Sequence, residues 1–215
     1  MRVFGIDLFG TGGPDLSLPE KSLSDLKDIT EILFIDDNEG FKVVEIFKTE
    51  GWRNTKLIPD AEALNSKDIR DAHVIFVDIG GVGKELDFDD EGLGLVKALK
   101  CEYPDKKVVV YSAQTEGDRF HTGLQQADAT IRKNAEPYEF MKLVRQFSRE
   151  AFSVEARVKR FQMTLDREFG IEMTEEHVRS HLARLSDQKP TEAEIKAEFG
   201  LQEVGSVASL LSVIA

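Results

Sequence analysis

Cysteine is almost missing from this chain of 215 residues: Cys101 stands alone. That excludes an internal disulfide and a four-cysteine zinc site, and it fits a reducing compartment. Long apolar runs are missing too. No stretch nears the ~18–20 uninterrupted apolar residues that a bilayer crossing needs. The opening Met1-Arg2-Val3-Phe4-Gly5-Ile6-Asp7 carries an early acid and no long apolar run, so a cytoplasmic location without a signal peptide is expected. Base is scarce as well, with 28 Lys and Arg against 40 Asp and Glu, a net charge of −12. Residues 1–30, 31–150 and 151–215 carry nets of −2, −7 and −3, so no basic arm hides behind the average. Bulk affinity for nucleic acid or anionic lipid is not expected.

What remains is a globular composition, 41% apolar and 32% charged, able to build a core. Residues 1–30 hold Gly10, Gly12, Gly13, Pro14 and Pro19 and predict an irregular extension with a short helix near 23–29. The pattern then changes. Short apolar runs at 32–35, 56–58, 74–77, 108–111 and 129–132 alternate with helical patterns at 40–50, 91–103, 116–126 and 136–150. Runs without in-out alternation are buried on both faces, as in a parallel sheet covered by helices. Five of them predict a doubly wound α/β domain over residues 31–150.

Residues 151–215 predict a helical region. No proline or glycine occurs from Tyr138 to Phe169, so one helix of up to about 32 residues is expected there. Phe140, Val144, Phe147, Ala151, Val154, Val158, Phe161 and Leu165 alternate steps of four and three, a heptad seam. Two readings stay open for it: a helical homodimer or signalling seam, and packing within the region itself. Helices at about 174–186, 191–199 and 204–214 follow. A helix-turn-helix across 191–214 would make the chain a DNA-binding regulator, but no Lys or Arg follows Lys196 to hold phosphates. His177 and His181, at i and i+4, lack a convincing third ligand and read better as a surface pair than as a metal site.

Chemistry collects at strand ends. Asp36-Asp37, Asp78, Ser112 and Lys133 each close an apolar run, and such ends share one cleft in a doubly wound sheet. Three carboxylates so close repel, at roughly 3 kcal/mol per pair for ~5 Å and an effective dielectric near 20. The cluster therefore binds protons or recruits a hard cation, magnesium above all. With Lys133 and a hydroxyl donor, it makes a place for a phosphoryl group. Asp78 is the best nucleophile and would form an aspartyl phosphate. Gly80-Gly81-Val82-Gly83-Lys84 mimics the end of a P-loop, but Asp78 stands where its first glycine must be and Glu85 replaces the Ser/Thr.

Residues 31–150 resemble a response-regulator receiver domain, a flavodoxin-like fold. The acidic pair, Asp78, Ser112 and Lys133 match its motifs in order, at intervals of 41, 34 and 21 residues. The resemblance implies that Asp78 accepts phosphate from a histidine kinase or phosphotransfer protein. It implies magnesium on Asp36, Asp37, Asp78 and the Gly80 carbonyl, Ser112 as hydroxyl switch, and Lys133 as the phosphate-binding lysine. It also places Ala113 as the small residue beside the switch and gives Gln114 an influence on dephosphorylation. No enzyme is implied beyond self-phosphorylation and autodephosphorylation. The helical region would be an output that meets a protein partner. The departures are a longer 79–91 loop, Val82 and Asn134 in place of prolines, and Thr130 in place of an aromatic switch. They keep open a phosphorylation-independent pseudo-receiver that acts as a protein-binding scaffold.

Overall fold

The computed structural model describes residues 20–38, 40–113, 125–185, 190–201, 207–208 and 210–211. Gln114, the predicted 116–126 helix up to residue 124, and most of the predicted 204–214 helix lie outside them. Lys21–Phe152 form one compact unit, and Ser153–Ala215 belong to another.

The first unit begins with helix α1 (Leu23–Ile29), whose Ser22 and Asp25 form a reciprocal capping box. Strands β1 (Ile32–Ile35), β2 (Thr55–Ile58), β3 (Val74–Asp78), β4 (Lys107–Ser112) and β5 (Ala129–Arg132) follow. Between and after them stand α2 (Val43–Thr49), α3 (Lys67–Asp71), α4 (Gly92–Glu102) and α5 (Pro137–Ala151). All strands are parallel, in the order β2-β1-β3-β4-β5. This is the doubly wound, flavodoxin-like order, and its direction reverses between β1 and β3.

The two-residue period of the strands sorts their side chains onto two faces. Leu33, Ile35, Ile75, Val77, Val108 and Val110 meet Ile69 of α3 and Leu95, Val96 and Leu99 of α4. Ile32, Phe34, Val74, Phe76, Val109 and Tyr111 meet Val44 and Phe47 of α2 and Phe140, Val144 and Phe147 of α5. The central strands β1 and β3 are buried along their whole length, while the edge strands β2 and β5 are partly exposed. The uninterrupted apolar runs are thus the strands covered on both sides.

The stretch from Tyr138 to Phe169 is two helices, a correction to the single long one expected. α5 ends at Ala151, and α6 (Val154–Phe169) begins after Ser153, whose hydroxyl accepts the Ala156 N–H at 3.2 Å. Phe152 packs its ring 4.7 Å from that of His73. A serine cap and a docked aromatic divide the stretch without proline or glycine.

The second unit joins α6 to α7 (Glu175–Leu185) and α8 (Glu192–Phe199). Val158, Phe161, Leu165, Val178, Leu182, Ile195 and Phe199 share one core, and the rings of Phe161 and Phe199 lie 5.0 Å apart. The seam positions Phe140, Val144 and Phe147, like Val158, Phe161 and Leu165, are buried within the cores of their own units. Internal packing, one of the two readings, accounts for these six.

Candidate functional site at the strand ends

The sheet carries β1, β3 and β4 side by side in register, so whatever follows their last apolar residues converges. Asp36 follows β1, Asp78 closes β3 opposite Tyr111 of β4, and Ser112 closes β4. Lys133 is brought in by its own backbone: its N–H donates to the Ser112 carbonyl at 2.9 Å. A turn closed by the Ala135 N–H on the Arg132 carbonyl at 3.0 Å holds it there, with Asn134 where a proline was expected.

The lysine ammonium spans the cluster. Nζ donates to Asp36 Oδ1 at 2.9 Å and to Asp78 Oδ2 at 2.5 Å. Asp36 also accepts the Asn38 N–H, and Asp78 accepts the Ile79 N–H at 2.8 Å. Asp36 is fully buried and Asp78 nearly so, whereas Asp37 is exposed. One ligand oxygen from each of the three acids lies within 4.8 Å of the others. Among the described residues this is the group arranged to hold a metal, and its all-oxygen donor set fits a hard divalent ion such as magnesium.

Electrostatics follow from that crowding. Burial pushes the Asp78 carboxyl above its ordinary value, and the hydrogen bond and charge of Lys133 pull it back only in part. Burial pulls Lys133 down, but its hydrogen bonds to Asp78 and Asp36 outweigh that and leave it raised. Lys133 is thus held in its charged form, whereas burial makes the charged form of Asp78 the costlier one.

The structure brings in three residues that strand-end reading overlooked. Tyr111, one before Ser112, donates its hydroxyl to Asp36 Oδ2 at 2.9 Å. A lone tyrosine in a run of valines was the available signal. Asp60, two residues beyond β2, accepts the N–H groups of Gly83, Lys84 and Glu85 at 2.5, 2.9 and 3.1 Å. The glycine-rich segment makes an anion nest of backbone N–H groups, and the anion is the protein's own carboxylate. Glu91 accepts the Gly81 N–H at 3.0 Å from a backbone at φ 50°, ψ −130°. For a residue with a Cβ that conformation costs on the order of 1–3 kcal/mol.

These contacts pin the long 79–91 loop beside the acids. Gly81 (φ +86°) sits so close to Asp37 that a Cβ would lie 2.2 Å from its carboxylate. A Cβ on Gly92 would lie 2.0 Å from the Asp78 carbonyl oxygen, so α4 can start against the strand end only with glycine there. Val82, standing where a proline was expected, is fully buried in the core beside α4. Gly80 and Ala113 are exposed, and so is Thr130 on the edge strand. The histidine pair is not a metal site here: His181 Nδ1 lies 2.6 Å from Glu198 Oε1, which also accepts from Arg184 Nε.

No protein-family model and no curated protein matches the chain. Solved structures do. A CheY-like response-regulator receiver domain protein from Methanospirillum hungatei JF-1 is 18% identical, with a TM-score of 0.47 over 57% of this chain and 95% of that one. The receiver domain of NtrX from Brucella abortus is 23% identical, with a TM-score of 0.46 over 55% of this chain and 98% of that one. A response regulator from Thermotoga maritima is 20% identical, with a TM-score of 0.41 over 55% of this chain and 97% of that one. The chain is similar in structure to receiver domains. The C-terminal helices are additional to that likeness.

Proposed function

We propose that this chain is a response regulator: residues 31–150 accept a phosphoryl group on Asp78, and the helical residues 151–215 carry the output. The observation that supports this best is the Lys133 ammonium hydrogen-bonded to both Asp36 and Asp78, with Asp37 alongside, at the ends of parallel strands. That is a nucleophile, a cation and a metal-ready acid set in one place.

In this reading an Asp78 carboxylate oxygen attacks the phosphorus of a histidine kinase or phosphotransfer protein. The bond from phosphorus to the histidine nitrogen breaks, and the electron pair leaves on the imidazole, which then takes a proton. Lys133, already touching Asp78, turns its charge to an incoming phosphoryl oxygen, and the Ser112 hydroxyl meets another. Magnesium on Asp36, Asp37, Asp78 and the Gly80 carbonyl would supply the remaining charge neutralisation. The new dianionic group draws Lys133 away from Asp36 and biases the unit toward a second conformer. Cytoplasmic action follows from the kinase partner; among the described residues no helix is long and apolar enough to cross a membrane.

The test is labelling by a small-molecule phosphodonor with magnesium, read by intact mass. Asp78→Asn should abolish the adduct. Label retained on another residue removes the proposal. A scaffold that never uses phosphate is the second reading; exposed Thr130 and Asn134 favour it, and a wild-type chain that takes no label at all would establish it.

A further inference from the structure

The acid cluster has a built-in hydrogen-bond donor that its charge balance does not require. Lys133 and the Asn38 N–H both donate to Asp36 Oδ1. Its other oxygen, Oδ2, accepts the Tyr111 hydroxyl at 2.9 Å. Asp36 and Tyr111 are both fully buried, so water does not replace this contact.

The phenol is rigidly held. Its ring stacks on Phe41 at 5.3 Å and 23°, and meets Phe34, Phe76 and Phe140 edge-on at 6.0, 6.3 and 6.2 Å. The Lys133 ammonium lies 5.7 Å from the ring centre. A phenol clamped in this way takes one carboxylate oxygen out of circulation.

Cations differ in what they ask of such a cluster. Magnesium is small, keeps several waters and needs only one or two carboxylates, whereas calcium takes six to eight oxygens at longer distances. With Asp36 Oδ2 engaged, Asp36 can offer a cation only Oδ1, beside the oxygens of Asp37 and Asp78. We propose that Tyr111 is a positioning residue that sets the cation selectivity of the site, by holding Asp36 Oδ2 and so favouring magnesium over calcium. This rests on the metal-binding reading above.

The decisive experiment is calorimetric titration of magnesium and of calcium into the full chain, wild type and Tyr111→Phe. Removing the hydroxyl leaves the ring packing in place and frees one buried carboxylate oxygen. The ratio of calcium to magnesium affinity should rise about tenfold, as expected for release of a hydrogen bond to a charged group. An unchanged ratio overturns the inference. If the wild type binds neither ion, the metal reading itself falls, a different result.

A second measurement keeps the Tyr111 hydroxyl in place. Tyr103→Phe with Tyr138→Phe leaves Tyr111 as the sole tyrosine of the three. Its ultraviolet difference spectrum should stay flat as magnesium binds. A magnesium-induced shift would mean that Asp36 leaves the phenol, and would equally overturn the inference.

Discussion

The sheet-bearing unit and the helical unit are built on the same apolar logic, yet they treat charge in opposite ways. In the helices, apart from the buried Arg157, charges pair within a turn, pair between neighbouring helices, or cap ends. Lys196 meets Glu192 one turn away, Arg184 and His181 share Glu198, and Thr191 forms a capping box with Glu194. In the sheet unit, Asp36, Asp78 and Lys133 come from positions far apart in sequence and lose most of their water together. Local pairs in solvent contribute a few tenths of a kcal/mol and are screened by salt. A shared buried network is worth far more to break than to keep. The difference teaches where chemistry can sit: the topology of the sheet, not the charge count, makes the reactive place.

The largest expected effect sharpens this contrast. Lys133→Ala leaves two largely buried carboxylates without their common cation and should cost about 3 kcal/mol of stability in chelator. Magnesium should restore part of that loss, which thermal melts with and without the ion would show. A loss no greater than that of a surface pair would mean the acids are already neutral.

A smaller effect of opposite sign is expected from Asp78→Asn in metal-free buffer. Folding raises the carboxyl of Asp78 above 3.8, so the folded state holds the proton more tightly than the unfolded chain. Its contribution is favourable below pH 3.8 and is lost as pH rises through the raised value. The variant should therefore be the more stable protein at neutral pH, with the gap closing as acid is added. Denaturant melts across that window would check it, and a gap independent of pH would sink it.

The smallest effect belongs to the helices. Thr191→Ala removes the N-cap of α8 and should cost about 1 kcal/mol, little changed by magnesium. A magnesium-dependent loss there would blur the distinction between the units.

Much of the site was legible because it is periodic. Runs such as Ile32–Ile35 and Val74–Val77 announce buried parallel strands, and the polar residue after each run then falls at the carboxyl edge. The helix break at Phe152–Ser153 was less so, because a serine inside an amphipathic pattern is an ordinary helix residue until a docked ring turns it into a cap. Asp60 went unnoticed although it too follows a strand, since its partners are backbone N–H groups that carry no residue signature. The sequence alone determined the strand-helix alternation, the identity of the acids and lysine, and the glycines that tolerate close approach. Tertiary structure alone decided that Tyr111 meets Asp36, that Asp60 fills the glycine loop, and that the heptad positions turn inward. Those are contacts between distant segments, set by sheet order and burial, and local pattern does not encode them.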